Sequence, residues 1–154
     1  MTVCDKRTPN FYYIHAKTAR EAHKTLLGFL TRLRGNYETL TIIGVGGKNY
    51  SLLVALDFTT IVLYKALDIQ SLTRYMLQGT VLYPNSIVVI DGIESLISNI
   101  EHWKIAFLAG ALLYTHAENG GTSILVITSR EKKTPYYEHI TRYWCPQEAP
   151  LYHD

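Results

Sequence analysis

The sequence predicts an α/β fold: a mostly parallel central sheet with helices on both faces. Three observations point there. Strand-like and helix-like segments alternate along the chain. Several strand-like runs, TLTIIGV (39–45), SIVVIDGI (86–93) and SILVITS (123–129), are almost continuously apolar, as expected of strands buried on both faces. A length of 154 residues, with 47% apolar and 18% charged content, suits one domain with a real core and not two. One domain is therefore expected over 1–154, with residues 1–10 and 146–154 as loose ends.

In chain order, FYYIHA (11–16) is aromatic, β-branched and partly alternating, which suits a short strand. Thr18 is placed to cap the helix that follows, and Glu21, three residues on, completes a capping box. Ala19, Ala22, Leu26, Leu30 and Leu33 recur at three- and four-residue steps and define one face. Arg32 and Arg34 sit in the last turn and Gly35 ends it. TLTIIGV is a strand, and YSLLVALDF (50–58) begins a helix. TTIVLY (59–64) is β-branched and reads as a strand. Asp68 caps the short helix DIQSLTRYMLQG, which Gly79 stops. The Pro84-Asn85 turn launches SIVVIDGI, the clearest central strand. A long helix over about 99–118, with Trp103, Phe107 and Tyr114 near one face, is broken by ENGGT. SILVITS is again a buried strand. EKKTPYYEH is a loop or irregular helix, and ITRYW (140–144) a last edge strand ended by Pro146 and Pro150.

A net charge of +2 gives no global attraction to nucleic acid or acidic membranes, so such binding needs a local patch. No apolar run reaches the roughly 18–20 residues that cross a bilayer, and MTVCDKRTPN has no signal-peptide core. A soluble, cytoplasmic protein with no membrane partner is expected. Cys4 and Cys145 match no zinc spacing and are expected as thiols. A bridge between them is the alternative, suited to hyperthermophile proteins. The six histidines are scattered, with no spacing typical of a metal site.

Ligands in parallel sheets sit beyond the carboxyl ends of the strands. After TLTIIGV come Gly44, Gly46, Gly47 and Lys48 and then an apolar helix start, close to the order of a phosphate loop. Such a loop needs glycines so that backbone amides converge on phosphate, a lysine for its charge, and a Ser or Thr for magnesium. Two parts depart from this. The position of the first consensus glycine is Ile42, so the loop is short, and Asn49 stands where Ser or Thr is required. A plain strand-to-helix turn is the competing reading. Asp91, at the tip of SIVVID, is the residue type that holds magnesium beside a nucleotide, or else a helix cap. Glu94 reads as an ordinary first-turn acid.

Taken together, LRGNYETLTIIGVGGKNYSLLVAL, SIVVIDGIESLI and FLAGALLYTHAENGGTSILVITSR resemble the core of the RecA/RadA recombinase family over about 33–130. The resemblance is one of pattern, not of long identities. It implies a reduced RecA-like P-loop NTPase core and a paralogue that assists a recombinase or another paralogue in homologous recombination and repair. It implies vestigial or weak nucleotide binding at Gly44, Gly46, Gly47, Lys48, Asn49 and Asp91, with Asp91 a magnesium ligand only if nucleotide binds. The damaged loop, and the lack of a convincing catalytic glutamate after TTIVLY, where Asp68 is the nearest acid, argue against catalysis. No cofactor is expected, ATP with magnesium being the exception. Arg130, Lys132, Lys133, Tyr136 and Tyr137 are candidates for binding single-stranded DNA through phosphate contacts and base stacking. A solvated charged loop is the plainer reading of the same run. The apolar helix faces and twelve tyrosines suit a protein partner, with homo- or hetero-oligomers both open. Two other readings stay open: a small active ATPase using Lys48 and Asp91, and a scaffold unrelated to DNA.

Overall fold

The computed structural model describes residues 4, 6–46, 50–54, 56–96, 103–130 and 135–150. Six strands, β1 (Phe11–Ala16), β2 (Thr39–Val45), β3 (Thr60–Ala66), β4 (Ile87–Asp91), β5 (Thr122–Thr128) and β6 (Gln147–Glu148), form one sheet in the order β3-β2-β4-β5-β1-β6. Every pairing is parallel. Helices α1 (Ala19–Leu33), α2 (Ser51–Val54), α3 (Ile69–Val81), α4 (Trp103–Glu118) and α5 (Pro135–Trp144) connect the strands.

The apolar runs divide by strand parity into two cores. Leu40 and Ile42 of β2, Ile87 and Val89 of β4, and Ile124 and Val126 of β5 pack with Ala22, Leu26, Phe29 and Leu30 of α1 and Leu53 of α2. Ile43, Val45, Val88, Ile90, Leu125 and Ile127 face the other way, onto Leu72 and Met76 of α3, Ala106, Ala109 and Leu113 of α4, and Ile140 of α5. The chain thus winds β1-α1-β2-α2-β3 over one face, reverses at β3, and winds β3-α3-β4-α4-β5-α5-β6 over the other. Strands β2 and β4 lie side by side with their exits leaving to opposite faces. That opens a crevice between their carboxyl ends, the usual place for a ligand in such sheets.

Local chemistry explains most boundaries. The Thr18 side chain accepts from the Glu21 amide at 3.2 Å and opens α1. Its buried face includes Phe29, while Ala19 at its start is exposed. Asp68 and Ser71 form a reciprocal capping box at α3.

Four expectations need correction. Gly79 does not stop α3. It is an interior residue of the helix, and a Cβ there would come 3.2 Å from Thr41 Cγ2, so glycine permits close packing on β2. ITRYW is helical, part of α5: Ile140 and Trp144, one turn apart, both pack against the α4 side of the core, with Trp144 seated over Gly110. The edge strand is instead Gln147–Glu148, paired with Tyr12 and Tyr13. Third, the ends are anchored where they are described. Thr8 is buried, its amide and hydroxyl donate to the carbonyls of Cys145 and Trp144, and Ala149 is buried with its amide on Tyr13 O. Last, Cys4 and Cys145 form a disulfide with Cα atoms 5.8 Å apart, closing a sequence separation of 141 residues. No helix of the described residues is long and apolar enough to cross a membrane.

His116, buried on α4, donates from Nε2 to Ser86 O at 2.8 Å and lies over Gly121. Burial holds its pKa below the ordinary 6.5, partly offset by the carbonyls of Ser86 and Thr80. The unfolded chain therefore takes a proton near 6.5 that the folded chain refuses, and stability falls as pH drops below that value. His116→Gln, which can keep the donor to Ser86, should flatten this acid dependence in urea titrations run at stepped pH. The disulfide makes a second prediction. Reductant should lower the wild-type denaturation midpoint by the equivalent of about 2–4 kcal/mol. Cys145→Ser should start at the lower midpoint and not respond.

Candidate functional site

The parallel register of β2 and β4 sets Gly44 directly opposite Asp91. The glycine turn and the acidic strand tip therefore meet at one rim, at the crevice. Asp91 is only 5% exposed. Its Oδ2 accepts a hydrogen bond from the hydroxyl of Tyr50 at 2.8 Å. Tyr50 follows the glycine turn, immediately before α2, and is itself buried among the residues under α1. Its ring lies across Gly44: a Cβ on that glycine would come 2.5 Å from Tyr50 Cε2 and 2.8 Å from its hydroxyl oxygen. Glycine at 44, a residue of β2, is thus required by the tyrosine. The His23 ring of α1 backs Tyr50, with centroids 5.7 Å apart.

Burial, then the charge and hydrogen bond of Asp91, then the charge of Glu94, all push the Tyr50 phenol far above its ordinary value of 10.0. The phenol stays protonated and acts as a donor to the carboxylate.

The rest of the rim is laced by its own side chains. Gly46, at φ 86°, donates its amide to Ala66 O across to β3, and Ser95 sits 3.6 Å from where a Cβ on it would lie. Gly92, at φ 95°, turns the chain from β4 into a short 3-10 turn, Ile93–Ser95, and its amide reaches Val126 O. Glu94 Oε1 accepts from the Thr128 amide at 3.0 Å. It ties the exit of β4 to the end of β5, a more particular task than first-turn acid.

Gly44, Gly46 and Asp91 are thus brought together. Gly47, Lys48 and Asn49 lie outside the described residues, as do Lys132 and Lys133. Arg130 is exposed just past β5, and Tyr136 and Tyr137 fall in the first turn of α5. No group of three His, Cys, Asp or Glu side chains that could hold a metal ion occurs among the described residues. As arranged, the described rim does not fit a magnesium-bound phosphate: a phenol ring fills the space over Gly44, and its hydroxyl holds the carboxylate the metal would need.

Sequence reasoning passed over Tyr50. The available signal was its place, two residues after Lys48 at the helix start, where a small hydroxyl residue would leave the crevice open. No family model matches the chain, and no curated protein matches it.

Because Gly44 and Tyr50 share one volume, their substitutions should couple. Gly44→Ala should destabilise by about 1–3 kcal/mol through overpacking. Most of that cost should vanish in a Tyr50→Ala background, as read by urea denaturation of the double-mutant cycle.

Proposed function

We propose that this chain is a non-hydrolysing accessory protein built on a reduced RecA-like P-loop core, working by binding a protein partner in recombination or repair. The observation that carries the non-hydrolysing part is the Tyr50–Asp91 hydrogen bond at 2.8 Å, buried over Gly44. A phosphoryl-transfer site needs an acid open to magnesium and a cradle open to the terminal phosphates. Here the Tyr50 ring covers Gly44 and its hydroxyl engages Asp91. The shortened loop at Ile42 and the substitution at Asn49 point the same way.

The adjacency of the glycine turn after β2 and the acid at the tip of β4, within an all-parallel sheet, supports an α/β core of the nucleotide-binding type, and the RecA-like part of the reading rests on the sequence resemblance. The recombination setting rests on the sequence resemblance over 33–130. The DNA contact rests on the composition of 130–137. The competing enzyme reading requires Tyr50 to leave Asp91 when nucleotide arrives.

Calorimetric titration with ATP and magnesium separates the two. Wild-type protein should show no saturable heat at millimolar nucleotide. Saturable binding that Lys48→Ala abolishes would establish the ATPase-type site and overturn the proposal.

A further inference from the structure

The two edges of the sheet are treated differently. At one edge, β6 is two residues long and is flanked by Pro146 and Pro150, which cannot donate to a further strand. At the other edge, β3 runs for seven residues, Thr60–Ala66, without a proline, and no strand pairs with its outer side among the described residues. A long open edge is a template for pairing with another strand.

Two exposed side chains beside that edge are large and apolar. Leu63 is 49% exposed and Leu67, just past the strand, 71%. Leu63 shares a strand face with Ile61, which packs in the core under α1 and α2. Among the described residues helix α2 spans four, and Leu56 and Phe58 after it pack on this face beside Ile61, leaving Leu63 at the outer end exposed. On the opposite face, Tyr64 stacks on Tyr75 of α3, with ring centroids 4.6 Å apart, which ties the strand to that helix.

Charge identifies the occupant. Asp57 lies just before the amino end of β3 and Lys65 near its carboxyl end, and both are exposed. A two-fold axis through the edge would run two copies of β3 antiparallel. Each Lys65 would then approach Asp57 of the second copy, twice per dimer. A register centred on Val62 sets Leu63 opposite Ile61 of the second copy and carries Lys65 just past the amino end of the second copy's strand, toward the turn that holds Asp57.

We propose that β3 is a homodimer interface, through which two copies pair antiparallel into one continuous twelve-stranded sheet. This stands apart from the nucleotide rim and from the proposed function.

Sedimentation equilibrium of the full chain tests it. The wild-type mass should be about twice the 17.5 kDa of one chain. Leu63→Lys should return it to that of one chain with an unchanged circular dichroism spectrum. Tyr143→Lys, on α5 and also exposed, should leave the dimer intact. Lys65→Asp and Asp57→Lys should each weaken the dimer about tenfold or more, since each sets like charges against one another. The combined swap should restore it, and this pair of variants remains decisive if Leu63→Lys fails to fold. A monomeric wild type, which would leave the edge to a different protein or to none, would overturn the proposal. So would a dimer that survives Leu63→Lys, or a charge swap that does not rescue.

Discussion

The hydrogen bond from Tyr50 to Asp91 is the constraint on which the reading of this protein turns. It joins the start of α2 to the tip of β4 across the crevice that the reversal of the winding creates. A carboxylate this buried is costly unless hydrogen-bonded, and a phenol whose pKa is pushed up by burial and by two neighbouring acids is a dependable neutral donor for it. The pair also explains residues around it. Gly44 must lack a side chain because the ring lies there. Glu94 turns away to the Thr128 amide and ties β4 to β5. Among the described residues, the space over Gly44 is therefore filled from within.

The same sheet shows how a chain of this size secures its periphery. The disulfide, the bonds from Thr8 to Trp144 and Cys145, and the short pairing of β6 with β1 all gather at one end of the strand order. Both described ends of the chain are held there, beside α5 and its aromatic contacts from Trp144 to Phe107 and Tyr114. Among the described residues the opposite end has no such fastening: β3 stands with an open edge and the short α2 over one face. A covalent bridge between the termini does not fit a reducing cytosol in an ordinary mesophile. It suits either an oxidising compartment or a hyperthermophile.

Much of the architecture was legible because burial on both faces leaves a plain trace. The runs at 39–45, 87–91 and 122–128 are apolar without alternation, and they are the central strands. Helix α1 announced itself through Thr18 and its apolar spacing. Failures came where local chemistry admits two outcomes. ITRYW is β-branched and aromatic, yet Ile140 and Trp144 lie one helical turn apart, and packing on α4 decided for helix. Gly79 looked like a stop, but a helix pressed on β2 needs a small residue there. Asp91 and the glycines were singled out as candidates because their residue types carry chemistry. Tyr50 was not, because only the fold brings its ring back over Gly44. The pairing of Cys4 with Cys145 stood only as the alternative in the sequence, because two cysteines at opposite ends of the chain are brought together by tertiary structure alone.

The most direct test of this account is the hydroxyl proton of Tyr50 itself. Buried and bonded to Asp91, it should exchange slowly enough with water to give its own downfield proton resonance by NMR, absent in Tyr50→Phe. This resonance should keep its position and sharpness when ATP and magnesium are added in large excess. Its loss or displacement by nucleotide with magnesium, but not by salt of the same ionic strength, would mean that Asp91 is surrendered to a metal, and the reading of a sealed rim would be wrong.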